Sequence, residues 1–64
     1  MTMTEEKKIR FQIARLESTH VCNVFIDKVE ELGENERFVY ATVKFYKTRV
    51  KVQGESIVES CRVV

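Results

Sequence analysis

Residues 20–32, HVCNVFIDKVEEL, decide the fold of this chain, because a helix and a strand both fit them. On a helical wheel of about 100° per residue, the apolar side chains share one broad arc: Val21, Cys22, Val24, Phe25, Ile26, Val29 and Leu32. Ser18 and Thr19 suit the N-cap position before this segment, and Gly33 suits the position just after a helix ends. The pattern predicts a helix over 20–32.

A strand is the alternative interpretation of the same segment. Its apolar residues include four that are β-branched: Val21, Val24, Ile26 and Val29. Such residues favour strands by propensity, and the run VCNVFI suits a strand well. If 20–32 is a strand, the sequence predicts a five-stranded small β-barrel instead.

The segment before it also fits two structures. From Lys7 onward polar and apolar side chains alternate, as in a half-buried strand: Lys8, Arg10 and Gln12 against Ile9, Phe11 and Ile13. A helix is the alternative, since Ile9, Ile13 and Leu16 also recur at helical spacing. Phe11 would lie off the apolar side of that helix, and this favours the strand.

The remaining sequence predicts three strands. The predicted elements are a loop at 34–36, a strand over 37–46, a bend near 47–48, a short strand over 49–52 and a last strand over 56–64. Gly54 and Glu55 fit a two-residue hairpin loop, which places Ile57 opposite Val52.

The expected fold class is therefore α+β, with a four-stranded antiparallel sheet, one helix on one face and the order β-α-β-β-β. Because the chain has 64 residues, we expect a single small domain over 1–64. Its first residues, 1–6, are polar and predict a flexible tail. A helix on one side leaves the other side of an antiparallel sheet open.

Charge is divided unevenly along the chain. Residues 1–36 hold five basic and eight acidic residues (5 − 8 = −3), and residues 54–64 hold one basic and two acidic residues (1 − 2 = −1). Residues 37–53 hold five basic residues and no acidic one (+5), which brings the sum to +1. This acid-free stretch is the main anomaly of the sequence.

The candidate binding site is the open sheet face, where aromatic and basic side chains of this stretch alternate. Its predicted partner-binding residues are Phe38, Tyr40, Lys44, Tyr46, Lys47, Arg49 and Lys51, and we expect Arg10 and Gln12 on the same face. Aromatic and arginine side chains anchor protein interfaces. The same residue types stack on bases and neutralise phosphates.

We therefore expect a non-enzymatic protein-interaction module that binds and modulates a larger protein as a homodimer, with Phe38, Tyr40, Tyr46 and Arg49 as anchors. The alternative function is single-stranded RNA or DNA binding, in which Tyr40 and Tyr46 stack on bases. A core this small gains from burying a second surface, which supports the homodimer.

Other chemistry finds little support in the sequence. His20 has no nucleophile and orienting group beside it in the chain, so we expect no catalytic site. On a helix His20 and Cys22 diverge by about 200°, so they cannot share a zinc ion with Cys61, and we expect no metal or cofactor. Without a long apolar run the protein should stay in the cytoplasm, with both cysteines free and buried rather than bridged.

Overall fold

The computed structural model describes residues 2–63, which form one helix followed by four strands. The elements are α1 (Met3–Leu16), a short 3₁₀ helix (Val21–Asn23), β1 (Val24–Gly33), β2 (Glu36–Val43), β3 (Tyr46–Gln53) and β4 (Ser56–Val63). The strands form one antiparallel sheet in the order β1-β2-β3-β4. The predicted α+β class, with one helix and a four-stranded antiparallel sheet, is confirmed. The sheet is open, so the alternative β-barrel is not supported.

The predicted helix over 20–32 is wrong, because most of this segment is strand β1. Val24 pairs with Val43 and Val29 with Val39 on β2. The ladder shifts register between Ile26 and Lys28, where a bulge adds one residue to β1. The extra residue breaks strict alternation, which explains why the apolar spacing resembled a helix.

The predicted strand near 7–13 is also wrong, because these residues lie inside α1. The helix buries Ile9, Ile13 and Ala14 and leaves Phe11 56% exposed. Phe11 thus lies off the apolar side, as the helical alternative required. The element order is therefore α-β-β-β-β rather than β-α-β-β-β.

The helix begins within the segment 1–6 that the sequence predicts as a tail. The Thr2 hydroxyl accepts a hydrogen bond from the Glu5 N–H at 3.2 Å, and a Glu5 carboxylate oxygen accepts one from the Thr2 N–H at 3.5 Å. This is a capping box, which the spacing Thr-x-x-Glu encodes. Met1, the first residue of the predicted tail, lies outside the described residues.

Ser18 and Thr19 lie at the end of a helix rather than at the start of one. Ser18 has a left-handed φ of 54°, and the Thr19 N–H donates to the Ala14 carbonyl at 2.9 Å. The Ser18 N–H donates to the Arg15 carbonyl at 3.2 Å. These two bonds form the pattern that commonly closes a helix, with serine where glycine is usual.

Three two-residue turns join the strands, each ten residues after the last. The turns are Glu34-Asn35, Lys44-Phe45 and Gly54-Glu55. The predicted hairpin at Gly54-Glu55 is confirmed, including the pairing of Ile57 with Val52. The predicted bend near 47–48 is wrong, since the chain turns three residues earlier.

The core lies between α1 and one face of the sheet. Its buried apolar residues are Ile9, Ile13, Ala14, Val24, Val39, Ala41, Val43, Val50 and Val52. From β4, Ile57 packs against this core. Thr48 is a buried polar residue, 2% exposed, and its hydroxyl donates to the Cys61 carbonyl at 3.0 Å. We call this side of the sheet the covered face.

Cys22 and Cys61 are free thiols, as expected, but both are exposed, so the prediction that they are buried is wrong. Cys22 lies in the 3₁₀ helix, and Cys61 lies on the edge strand β4, on the side of the sheet opposite α1. No helix within residues 2–63 is long and apolar enough to cross a membrane.

Candidate functional site

The open face is the side of the sheet opposite α1, and the register arranges its residues in four cross-strand rows. The first row is Glu30, Phe38, Lys51 and Glu59; the second is Lys28, Tyr40, Arg49 and Cys61; the third is Phe25, Thr42, Lys47 and Val63; and the fourth, at the other end of the sheet, is Gly33, Glu36, Gln53 and Ser56. On β2 and β3 buried residues alternate with these, which fixes their outward direction, and the pairing register places the β1 and β4 residues of each row on the same face.

Two aromatic side chains lie near the centre of this face, each with a cation over its ring. The Arg49 guanidinium is 4.4 Å from the centre of the Phe38 ring, and the Lys28 ammonium is 5.5 Å from the centre of the Tyr40 ring. Both distances are in the range of cation–π attraction. Phe38 and Tyr40 are therefore held in a defined arrangement on β2.

Carboxylates are interspersed with the cations of the open face. Lys51 pairs with Glu36 at 3.5 Å, and Lys28 pairs with Glu30 at 3.7 Å. The Thr42 hydroxyl, itself on this face, donates to the Asp27 carboxylate at 2.6 Å. The face thus carries four cations (Lys28, Lys47, Arg49 and Lys51) and four carboxylates (Asp27, Glu30, Glu36 and Glu59). Its formal charge is balanced rather than basic.

The structure brings five of the seven predicted site residues together on the open face: Phe38, Tyr40, Lys47, Arg49 and Lys51. Lys44 and Tyr46 lie elsewhere, so their predicted place on this face is wrong. The turn at Lys44-Phe45 is the reason, because Tyr46 then pairs with Val43 and shares its covered face. Arg10 and Gln12 lie on α1 and are likewise absent from the open face.

Tyr46 lies half-buried at the margin of the core. Its hydroxyl donates to the Glu17 carboxylate at 3.0 Å, and the Arg62 guanidinium is 4.0 Å from the centre of its ring. Burial, followed by the hydrogen bond to Glu17, raises the pKa of the Tyr46 hydroxyl. Tyr46 thus ties the end of α1 to β3.

Lys44 occupies the turn with a left-handed φ of 57°. Its backbone N–H donates to the Asn23 carbonyl at 3.0 Å, while its side chain is exposed. Phe45, the next residue, is fully exposed at 101%. Neither side chain faces the rings of Phe38 and Tyr40.

Sequence reasoning missed the contributions of the two edge strands. From β1 it missed Phe25, Asp27, Lys28 and Glu30, which it assigned to a helix, and from β4 it missed Glu59 and Cys61 as parts of this face. The β-branched composition of 20–32 was the signal that could have placed the β1 residues there.

Other parts of the described chain offer little for chemistry. Within residues 2–63 no group of three or more His, Cys, Asp or Glu side chains is placed to hold a metal ion. His20 is exposed beside the 3₁₀ helix. A small hollow beside the helix start is lined by Glu5, Lys8 and Arg37, among others.

Arg37 connects that hollow to the helix. Its guanidinium lies 3.2 Å from the Glu5 carboxylate. This hydrogen bond, together with those from Thr2, lowers the pKa of Glu5. The Arg37–Glu5 contact, which joins α1 to β2, therefore forms part of the wall of the hollow.

No protein-family model, curated protein or solved structure matches this chain. A proposal about its function therefore depends on the geometry of the open face. That face presents two oriented rings and an array of paired charges.

Proposed function

We propose that this chain is a non-enzymatic protein-interaction module that binds and modulates a larger protein through its open face and also forms a homodimer. The observation that carries the proposal is the charge-balanced open face, with Phe38 and Tyr40 at its centre. A balanced set of ions around a small aromatic patch is typical of protein interfaces, which combine buried anchors with a polar rim.

The anchors lie where an interface would bury them most completely. Phe38 and Tyr40 lie on β2, one of the two inner strands, and are flanked by β1 and β3. Arginine and tyrosine are enriched among residues that dominate binding energy. Arg49, already positioned over Phe38, would lose little side-chain freedom on binding.

The carboxylates favour a protein partner over a nucleic acid. Nucleic-acid affinity comes largely from cations that neutralise phosphates. Here Lys51 and Lys28 already pair with acids, and Glu30 and Glu59 would repel phosphates in the row of Phe38. The cations over both rings also occupy positions where bases would stack.

The test is a double substitution of the anchors, Phe38→Ala with Tyr40→Ala, compared with Phe11→Ala. Phe11 is the matched control because it is an exposed aromatic residue on the far side of α1. A photo-crosslinker at Thr42 reports which proteins the open face contacts, and sedimentation reports self-association. We expect the double variant, but not Phe11→Ala, to lose both contacts. If both persist in the double variant, the proposal is wrong.

Fluorescence anisotropy with single-stranded DNA and RNA tests the other function. Engagement of three or four phosphates would give a log–log salt slope of about −2 to −3. We expect no binding at low salt, because the open face carries as many carboxylates as cations. Tyr40-dependent binding with that slope would replace the protein-interaction proposal with the nucleic-acid one.

A further inference from the structure

We propose that the end of the sheet at the Lys44-Phe45 turn docks on an anionic lipid bilayer, with the Phe45 ring among the lipids and the surrounding cations against their phosphates. The protein lies on the membrane surface in this contact and does not span it. We call the turn, together with the end of α1 and the 3₁₀ helix beside it, the turn end. The inference goes beyond the proposed function, because the turn end is a different surface from the open face.

Three segments of the chain meet at the turn end. The Lys44 N–H donates to the Asn23 carbonyl at 3.0 Å, which joins the turn to the 3₁₀ helix. A hollow lined by Arg15, Ser18, His20 and Lys44, among others, lies between the turn and the end of α1. The turn is therefore part of a larger surface and not an isolated protrusion.

Phe45 is the apolar group at the tip of this surface. It is fully exposed and lies beyond the last pair that joins β2 to β3, Val43 with Tyr46. Leu16 and Val21 are exposed apolar residues of the same end. Because the Phe45 ring is buried nowhere in this fold, it can enter another apolar phase without any rearrangement of the protein, and its transfer from water is favourable.

The turn end has an excess of positive charge. Its two carboxylates accept hydrogen bonds from hydroxyl groups, Glu17 from Tyr46 and Asp27 from Thr42. Five cations against these two carboxylates give a formal charge of +3 (5 − 2): Arg10, Arg15, Lys44, Lys47 and Arg62. Among residues 2–63, Arg15 and Lys44 form no ion pair with a carboxylate. Both are therefore available to an external anion.

The opposite end of the sheet, where the other two turns lie, is different. Its cations are paired with carboxylates of the same chain: Lys8 with Glu55 at 3.7 Å, Arg37 with Glu5 at 3.2 Å and Lys51 with Glu36 at 3.5 Å. Glu34 adds a further acid in the first of those turns. The excess of positive charge is thus found at the end that also carries the fully exposed ring.

The distribution of these cations favours a flat anionic surface as the partner. Arg15 and Lys44 line the hollow on the α1 side of the sheet, whereas Lys47 lies on the open face. A plane that meets the turn end head-on contacts both sets, but a nucleic-acid strand on one face of the sheet contacts only one. Anionic headgroups attract lysine and arginine near a bilayer, whose interior accepts an apolar ring while lysine stems extend toward the phosphates.

Tryptophan fluorescence tests where the chain meets the lipid. The chain contains no tryptophan, so Phe45→Trp introduces a single indole at the tip. Phe11→Trp is the matched control, at an exposed phenylalanine on the outer side of α1. Vesicles of phosphatidylcholine, with or without phosphatidylglycerol, are titrated into each variant. We expect a blue shift for Phe45→Trp with the anionic vesicles only, reduced by salt because salt screens the attraction, and no shift for Phe11→Trp.

Sedimentation with the anionic vesicles measures what the ring and the charge contribute. We expect Phe45→Ala to bind about tenfold more weakly than the wild type and Lys44→Gln about fivefold more weakly. Phe11→Ala and Lys7→Gln are the matched controls on α1 and should bind like the wild type. All four altered side chains are exposed, and circular dichroism checks that each variant is folded.

Several results would overturn the inference: a wild type that does not bind anionic vesicles at low salt, equal shifts in both tryptophan variants, or unchanged binding of Phe45→Ala and Lys44→Gln. A Phe45→Trp shift produced by single-stranded nucleic acid or by concentrating the protein, but not by vesicles, would assign the turn end to another partner.

The open-face double variant, Phe38→Ala with Tyr40→Ala, separates this inference from the proposed function. We expect it to bind vesicles like the wild type, because neither residue lies at the turn end. If it loses vesicle binding while Phe45→Ala keeps it, the lipid contact is on the open face and the inference is wrong. Crosslinking from the open face to a larger protein does not depend on either vesicle result.

Discussion

The two faces of the sheet are formed by the same strands, yet their side chains differ in burial and in the contacts they make. On the covered face Val39, Val50 and Val52 are at most 1% exposed and pack beneath α1. On the open face their neighbours in the chain are partly exposed and make ion pairs and ring contacts. Packing therefore constrains the covered face mainly to apolar side chains, whereas the open face also holds charged and aromatic ones.

The two sides of helix α1 show the same contrast in burial. Ile13 lies at 0% exposure over the sheet, whereas Phe11 lies 56% exposed on the outer side. Burial of a large apolar side chain stabilises a fold by about 1.5–3 kcal/mol, and exposure forfeits most of that. Two apolar residues only two positions apart thus differ in what they contribute to the stability of the fold.

The largest expected effect on stability distinguishes the buried side of α1 from its exposed side. Ile13→Ala should lower the free energy of unfolding by about 2–5 kcal/mol, because it leaves a cavity in a small core. Phe11→Ala, the control on the same helix, should change it by no more than about 0.5 kcal/mol. Urea denaturation of both variants measures the difference. Equal losses would mean that the outer side of α1 is also packed.

The next effect tests the polar residue on the covered face. Thr48→Val keeps the shape of the side chain and removes the hydrogen bond to the Cys61 carbonyl. We expect a loss of about 0.5–1.5 kcal/mol in unfolding free energy. Thr42→Val, which removes an exposed hydrogen bond to Asp27 on the open face instead of a buried one, is the comparison, and chemical denaturation measures both variants. A stabilised Thr48→Val variant would show that the hydroxyl serves no structural purpose there.

Sequence reasoning predicted the strands that follow strict alternation and missed those that do not. In β2 and in residues 49–52 alternate residues face the core, so the open-face positions of Phe38, Tyr40 and Arg49 followed directly. In β1 the bulge at Asp27 shifts the alternation of inward and outward side chains by one residue, and the spacing of the apolar residues then resembles that of a helix. A bulge depends on the partner strand, which single-segment periodicity does not include.

Turn chemistry explains the other misses. Gly54 supplies a left-handed φ of 64°, and its turn was predicted. Lys44 takes a φ of 57° without being Gly, Asn or Asp, so the sequence carries no signal for that turn. Because a two-residue turn keeps the paired residues on one face, overlooking it displaced Tyr46 from the covered face to the open one. The pairing of β2 with β3, rather than the local sequence, determines the position of this turn.

A smaller effect concerns the acid dependence of stability on the covered side. Arg37 and Thr2 hold the pKa of Glu5 below its ordinary value of 4.5 in the folded chain. A carboxylate with a depressed folded pKa contributes stability above its unfolded pKa, and this contribution is lost as pH falls through the folded pKa. We therefore expect acidification below about pH 4.5 to remove the contribution of Glu5.

The comparison of wild type with Glu5→Gln isolates this carboxylate from the others. The variant should have the lower urea midpoint at neutral pH, and the two midpoints should converge as pH falls through the acidic range. Glu6→Gln, on the next residue of α1, is the control. A wild-type advantage that stays constant on acidification would show that the Arg37 contact does not depend on the charge of Glu5.

The smallest expected effect on stability lies on the open face. Arg49→Ala removes the cation over Phe38, and exposed contacts of this kind contribute about 0.5–1 kcal/mol. Val50→Ala, the adjacent residue on the covered face, should cost more, because Val50 is fully buried. Thermal melting compares the two variants.

The same pair should rank in the opposite order for binding. Arg49 would be desolvated beside the anchors of an interface, whereas Val50 touches only its own core, so Arg49→Ala should weaken dimerisation while a folded Val50→Ala should not. Opposite rankings for stability and for affinity would show that Val50 serves mainly to stabilise the fold, whereas Arg49 serves mainly in binding. If Arg49→Ala lowered stability as much as Val50→Ala, the open face would be part of the structural core.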